Sequence, residues 1–176
     1  MSANGLQVST PSDTTIVFTR KFQAPRQFVW KAMTQPELLQ RWMFSPPGWS
    51  WAACEMDVRV GGKYHWSWNG PDGTLAMTIS GEHREVDPPR RIVHTERMVM
   101  EPGSGATCGP DGESSDVWEL LAAIELTEEQ GVTRMTMTLS FPTKEGRDAA
   151  LASGMERGME AGYQVLETLF QESRGS

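Results

Sequence analysis

Cysteine is scarce in this sequence, with Cys54 and Cys108 the only two, far apart and neither part of a C-x-x-C pair. That removes the usual support for a zinc or thioredoxin-type site. In a domain with enough core to stand unaided, two distant thiols read as reduced. No apolar run approaches the roughly 20 residues that span a bilayer. Met1 to Asp13 has neither a basic nor a hydrophobic region, so the chain reads as cytoplasmic, with no membrane partner. Basic residues are outnumbered, 16 against 23 acidic, and the formal charge of -7 repels phosphate backbones and anionic headgroups. Nucleic acid is therefore not an expected partner. There is no G-x-S-x-G elbow, and Gly61-Gly62 leads into a strand where a phosphate loop leads into a helix. His65, His83 and His94 follow no zinc spacing and read as surface or hydrogen-bonded strand residues. Neither a metal nor a cofactor is expected.

Sulfur and indole are plentiful, with 11 Met and 7 Trp in 176 residues. Both types line cores and apolar pockets. The length fits one domain. Residues 1–13 are Ser-, Thr-, Asn-, Gly- and Pro-rich without periodicity and read as a disordered tail before a single domain over 14–172. Thr14 to Phe22 alternates like a strand, with Ile16, Phe18, Arg20 and Phe22 in one phase. Pro25 and Pro36 each start a short helix, the first carrying the stripe Phe28, Val29, Ala32, Met33 and the second Leu38, Leu39, Trp42. From Trp51 to Phe141 the chain reads as consecutive strands at Ala52–Asp57, Lys63–Trp68, Leu75–Val86, Arg91–Met98, Asp116–Thr127 and Val132–Phe141. Legible turns separate them, which predicts an antiparallel meander. Gly103 to Ser115 reads as a long flexible loop, a possible rim to an opening.

The longest helical pattern runs from Lys144 to Glu172, with Leu151, Met155, Met159, Val165, Leu166 and Leu169 on one side and Glu156, Glu160 and Glu167 opposite. Gly154, Gly158 and Gly162 fall on the apolar side. Each mid-helix glycine costs about 1 kcal/mol relative to Ala. Close backbone packing offsets that cost in one reading, and cavity volume for a ligand explains it in the other. Tyr64, Trp66 and Trp68 share one strand face, and Met77 and Ile79 extend it. Buried indoles need hydrogen-bond partners, which core packing alone does not provide. Asp57 with Arg59 reads as a structural pair, and Glu82, Arg84, Glu85 and Arg91 as a solvated charged face.

Four segments in collinear order carry a family resemblance: FTRKFQAPRQFVWKAMTQPELLQRW from Phe18, CEMDVRVGGKY from Cys54, GEHREVDPPRRIVHT from Gly81 and SGMERGMEAGYQVLETL from Ser153. Together they resemble the activator of Hsp90 ATPase homologue 1-like family of the START/Bet v 1-like (SRPBCC) superfamily. The resemblance implies an α+β helix-grip fold: a curved antiparallel sheet of about six to seven strands, two short helices after the first strand, and a long C-terminal helix over a hydrophobic cavity. It also implies a small hydrophobic or aromatic ligand in that cavity. The candidate lining is Trp42, Tyr64, Trp66, Trp68, Met77, His94, Trp118, Met155, Gly158, Met159, Gly162 and Tyr163. Two alternatives stay open, with no catalytic residue assigned. One is a cyclase- or hydrolase-type enzyme using Glu, His or Tyr in the same cavity. The other is a co-chaperone-like interaction module or homodimer using an exposed sheet edge. The sequence does not contain the co-chaperone's additional N-terminal domain, so Hsp90 is not the expected partner.

Overall fold

The structure is a computed structural model that describes residues 4–43, 45–101 and 117–176, with the side chains of Val117 and Trp118 excluded. The expected Gly103 to Ser115 loop and Cys108 lie outside the described residues. Among the described residues, eight strands form one antiparallel sheet: β1 (Gln7–Ser12), β2 (Thr15–Phe22), β3 (Ser50–Met56), β4 (Lys63–Asn69), β5 (Leu75–Asp87), β6 (Arg91–Met100), β7 (Val117–Glu129) and β8 (Val132–Ser140). Their order is β1-β2-β8-β7-β6-β5-β4-β3, so the predicted meander from β3 to β8 folds back onto β2.

Among the described residues, four helices accompany the sheet: α1 (Arg26–Thr34), α2 (Pro36–Trp42), α3 (Lys144–Ala152) and α4 (Met155–Arg174). Proline sets the first two boundaries. Pro25 caps α1 in an extended conformation, and Gln35 is held extended by the proline that follows it, separating α1 from α2. The C-terminal helix is two helices where the sequence pattern suggests one. Thr143 caps α3 by accepting from the Gly146 N–H, and Gly154 adopts φ 71°, a left-handed conformation that ends α3 and starts α4 on a new axis. Gly154 is thus a breaker, not a mid-helix glycine.

Two further expectations are corrected. The segment 1–13 is not a free tail over its whole length, because Gln7–Ser12 pairs with β2 from Gln7↔Thr19 onward. All six side chains of β1 are exposed, so no alternation marks it; backbone pairing with β2 holds it, and Arg147 donates to the Ser12 carbonyl at its end. Val165, placed on the apolar side of the last helix, is exposed, whereas Tyr163 and Leu166 are buried.

One buried ion cluster ties the sheet to α4. Arg20, 3% exposed, lies in phase with Ile16, Phe18 and Phe22 on the inner face of β2. Its Nε donates to Glu160 at 2.9 Å and its Nη2 to Glu167 at 3.3 Å. The two glutamates are seven residues apart, two turns of one helix face. Glu160 also accepts from the Leu6 backbone N–H, which draws in the chain ahead of β1. These glutamates therefore do not form part of a solvated face. Burial alone lowers the Arg20 pKa, but hydrogen bonds to Glu160 and Glu167 outweigh it and the guanidinium ends above its ordinary value.

Removing one partner of a buried pair strands the others, at about 3 kcal/mol. Arg20→Ala is expected to lower the unfolding free energy by that amount in urea denaturation. Burial alone raises the Glu160 pKa, but the hydrogen bond and charge of Arg20, with the hydrogen bonds from Gln164 and the Leu6 N–H, together outweigh it and hold the carboxyl below 4.5. Its contribution is complete above that pH and lost as pH falls through the lowered value. Glu160→Gln is accordingly expected to flatten the acid limb of the stability curve below about pH 4.5.

Candidate ligand-binding site on the concave face

Strand register places one set of side chains on the inner face. Tyr64, Trp66 and Trp68 of β4 lie across from Gly81, Ile79 and Met77 of β5. His83 pairs with His94 of β6, and His94 with Ala122 of β7. Glu96 and Met98 follow His94 in phase, and Met137 of β8 lies opposite Ile124. Met77, Met98 and Met137 face inward yet are only partly buried, as are Met155 and Met159 of α4. These five inward-facing methionines are packed against the core yet keep accessible surface, and their unbranched side chains adapt to what lies beside them.

Tyr64 is the hub of the polar end. Its ring lies 4.7 Å from Trp66, 5.5 Å from His83 and 5.1 Å from His94. Its hydroxyl donates to the Thr95 carbonyl at 2.9 Å, while the Glu82 N–H turns to the Thr95 hydroxyl at 3.0 Å. The β5–β6 pairing has no partners between Ser80↔Arg97 and His83↔His94, which makes room for these contacts. A side chain on Gly81 would collide with the Thr95 carbonyl oxygen, so this strand glycine marks a close backbone approach. The Gly61-Gly62 turn docks here too: the Gly61 N–H donates to the His83 carbonyl at 2.8 Å, and the His83 N–H to Gly62 at 2.9 Å. The turn fixes the position of His83.

The polar atoms gathered at this end lack partners. His83 is 1% exposed and neither ring nitrogen has a hydrogen bond; His94 is 7% exposed and its Nδ1 has none. Trp66 and Trp68, at 8% and 1%, have unpartnered indole N–H groups. The remaining His94 nitrogen, Nε2, stands 3.6 Å from the Glu96 carboxylate. Each such buried group costs roughly 1–3 kcal/mol if nothing meets it. Four of them in one region form a ready-made set of donors and acceptors for a bound molecule or ordered water. Burial, then the neighbouring His94, push the His83 pKa down, with Asp57 opposing. Burial, then Glu96, push the Tyr64 phenol up.

Other expected residues occupy closed core. Trp42 donates its indole N–H to the Ala32 carbonyl at 2.9 Å and stacks on Tyr163 at 5.5 Å, and Tyr163 meets Phe22 edge-on. Gly162 is buried and Gly158 half-buried on α4; Trp118 pairs with Met98 through the backbone, its side chain lying outside the described residues. The expectation of a surface or hydrogen-bonded histidine side chain fails at His83, whose ring is buried and unbonded; His65 is exposed. Asp57 and Arg59 form the expected exposed pair at 2.8 Å. The Cys54 thiol is pushed up to about 11 by burial and then by Glu37, so it stays protonated near neutrality. A broad groove of about 890 Å³ is lined by Tyr64, Gly81 and Glu96 of the inner-face set together with His65, Arg84 and Arg97 of the other phase. Its walls carry the ion pairs Arg84–Glu82 and Arg97–Glu119.

A curved antiparallel sheet with a C-terminal helix across its inner face defines a helix-grip α+β protein. The family model of the Activator of Hsp90 ATPase homolog 1-like protein matches residues 23–171, and the chain belongs to that family. A crystal structure from Rhodobacter sphaeroides is 30% identical, with a TM-score of 0.80 over 96% of this chain and 99% of that one. One from Nitrosomonas europaea is 25% identical, with a TM-score of 0.74 over 95% and 100%. A Mycobacterium smegmatis structure, 24% identical with a TM-score of 0.72 over 93% and 94%, shares the fold. No curated protein matches the sequence.

Because the folded pKa of His83 is depressed below 6.5, the unfolded chain takes the proton first. Stability is full above that value and falls as pH drops through it. Urea unfolding between about pH 7.5 and 5.5 is expected to show this slope, and His83→Phe to remove most of it.

Proposed function

We propose that the chain binds a small hydrophobic or aromatic molecule on the concave face, between β4–β8 and α4. The observation that supports this most is the coincidence of two features in one place. Half-buried methionines supply adaptable apolar walls, and the unpartnered nitrogens of Trp66, Trp68, His83 and His94 supply a few fixed polar contacts. Ligand pockets are built on that ratio of many apolar contacts to few polar ones. In the tautomer with Nε2–H toward Glu96, His94 presents Nδ1 as an acceptor, while the indoles donate. A ligand hydroxyl satisfies both kinds of group. Such ligands are commonly bound by proteins of this fold.

Catalysis in the same space is a second reading, favoured by one observation: the His94–Glu96 pair beside Tyr64 has the make-up of a general base and its orienting carboxylate. Activation of Hsp90 belongs to the family's description; for this chain the concave-face geometry supports ligand binding instead.

Native mass spectrometry of the protein from its own cells is expected to show a small-molecule adduct that denaturation releases. Met98→Trp, which fills part of the space, is expected to reduce its occupancy at least fivefold, about 1 kcal/mol. Adduct-free protein, with no quenching of tryptophan fluorescence by apolar probes, counts against the proposal.

A further inference from the structure

A second hollow lies at the far end of α4, where its last turns pass α1. Phe22, Phe28, Val29, Leu166, Glu167 and Phe170 enclose a cavity of about 170 Å³. Phe28 and Phe170 form a corner of it, their rings 4.8 Å apart and inclined at 59°. Among the described lining residues, Glu167 is the one ionisable side chain; the other polar ones are amides.

Glu167 is only half used. Its Oε2 meets Arg20, whereas Oε1 is buried with no hydrogen-bond partner. Arg20 is shared with Glu160, so one guanidinium faces two carboxylates and one negative charge is left in excess. Burying an unpartnered carboxylate oxygen is costly, and a positive group beside it removes that cost. The neighbouring rings already attract cations: Arg20 Cζ lies 4.8 Å from the centroid of Phe22, and Arg174 Cζ lies 5.8 Å from that of Phe170.

We propose that this cavity is a binding site, separate from the concave face, for a small organic cation of the alkylammonium class, its charge directed to Glu167 Oε1 and its alkyl groups against Phe28 and Phe170. Aromatic faces are negative and apolar at once, and a weakly hydrated alkylammonium is positive and apolar at once. A hard metal cation needs several oxygen ligands, where this wall offers one carboxylate and two phenyl rings. An anion meets the excess negative charge.

The test compares choline with its uncharged carbon isostere, in which a tert-butyl group replaces the trimethylammonium, by amide NMR titration of the full chain. Choline is expected to give saturable shifts centred on Phe28, Glu167 and Phe170 and to bind at least tenfold more tightly than the isostere. Phe28→Leu keeps apolar volume but removes an aromatic face. It is expected to weaken choline roughly tenfold and to leave the isostere unchanged. Glu167→Gln also disturbs Arg20, so its melting curve is taken first; a folded variant is expected to lose the preference for charge. Equal affinity for the two compounds, no effect of Phe28→Leu on choline, or the absence of saturable shifts overturns the proposal. None of these results bears on the concave-face ligand.

Discussion

A guanidinium buried against the sheet and shared by two carboxylates of one helix is the constraint from which the rest of the architecture follows. Arg20 occupies an inner-face position of β2 where the strand phase otherwise calls for an apolar side chain. Leaving it unpaired there would be prohibitive, so α4 must lie where Glu160 and Glu167 both reach it. That fixes the helix in rotation and along its axis, because Glu160 and Glu167, two turns apart, present their carboxylates on one face. The same cluster captures the Leu6 backbone, which positions the segment leading into β1. With its middle anchored by charge, the helix does not need dense packing along its first turns. There Met155, Gly158 and Met159 are only partly buried.

The two ends of the inner face are satisfied in opposite ways. Near β2, every nitrogen of the Arg20 cluster has an acceptor and the rings of Phe22, Trp42 and Tyr163 close around it. Near β4–β6, Tyr64 is satisfied by the Thr95 carbonyl, but His83, His94, Trp66 and Trp68 are not. Buried polar groups in native proteins are almost always paired. The nitrogens of the Arg20 cluster are all met by the chain, whereas those of the two histidines and two indoles are the ones on which the ligand proposal rests. The Gly61-Gly62 turn and the close approach at Gly81 are the backbone devices that hold this end in place.

Much of this was legible in the sequence because it follows from periodicity and proline. The meander from β3 to β8, the Pro25 and Pro36 helix starts, and the shared face of Tyr64, Trp66 and Trp68 all depend on local spacing. β1 escaped because an edge strand exposed on every side chain has no hydrophobic phase to read. The break at Gly154 escaped because a left-handed glycine and a mid-helix glycine look alike in a string of letters. Arg20 was visible in phase with Ile16 and Phe22, but its partners stand some 140 residues away, and no local rule links them. His83 carried a usable signal, being in phase with Met77, Ile79 and Gly81 on one strand face. Weighing histidines by metal spacing hid it. Trp42 and Tyr163 show the converse: aromatic character suggested lining, and a satisfied indole N–H and stacked rings make them core.

Completion of the orphaned inner-face nitrogens by a bound small molecule is open to direct test in a crystal structure of the protein purified from its own cells, at a resolution that shows ordered water. Continuous non-protein density under α4 that touches at least two of Trp66, Trp68, His83 and His94 is expected. Side chains closed on one another there, or isolated waters alone on those nitrogens, would contradict it.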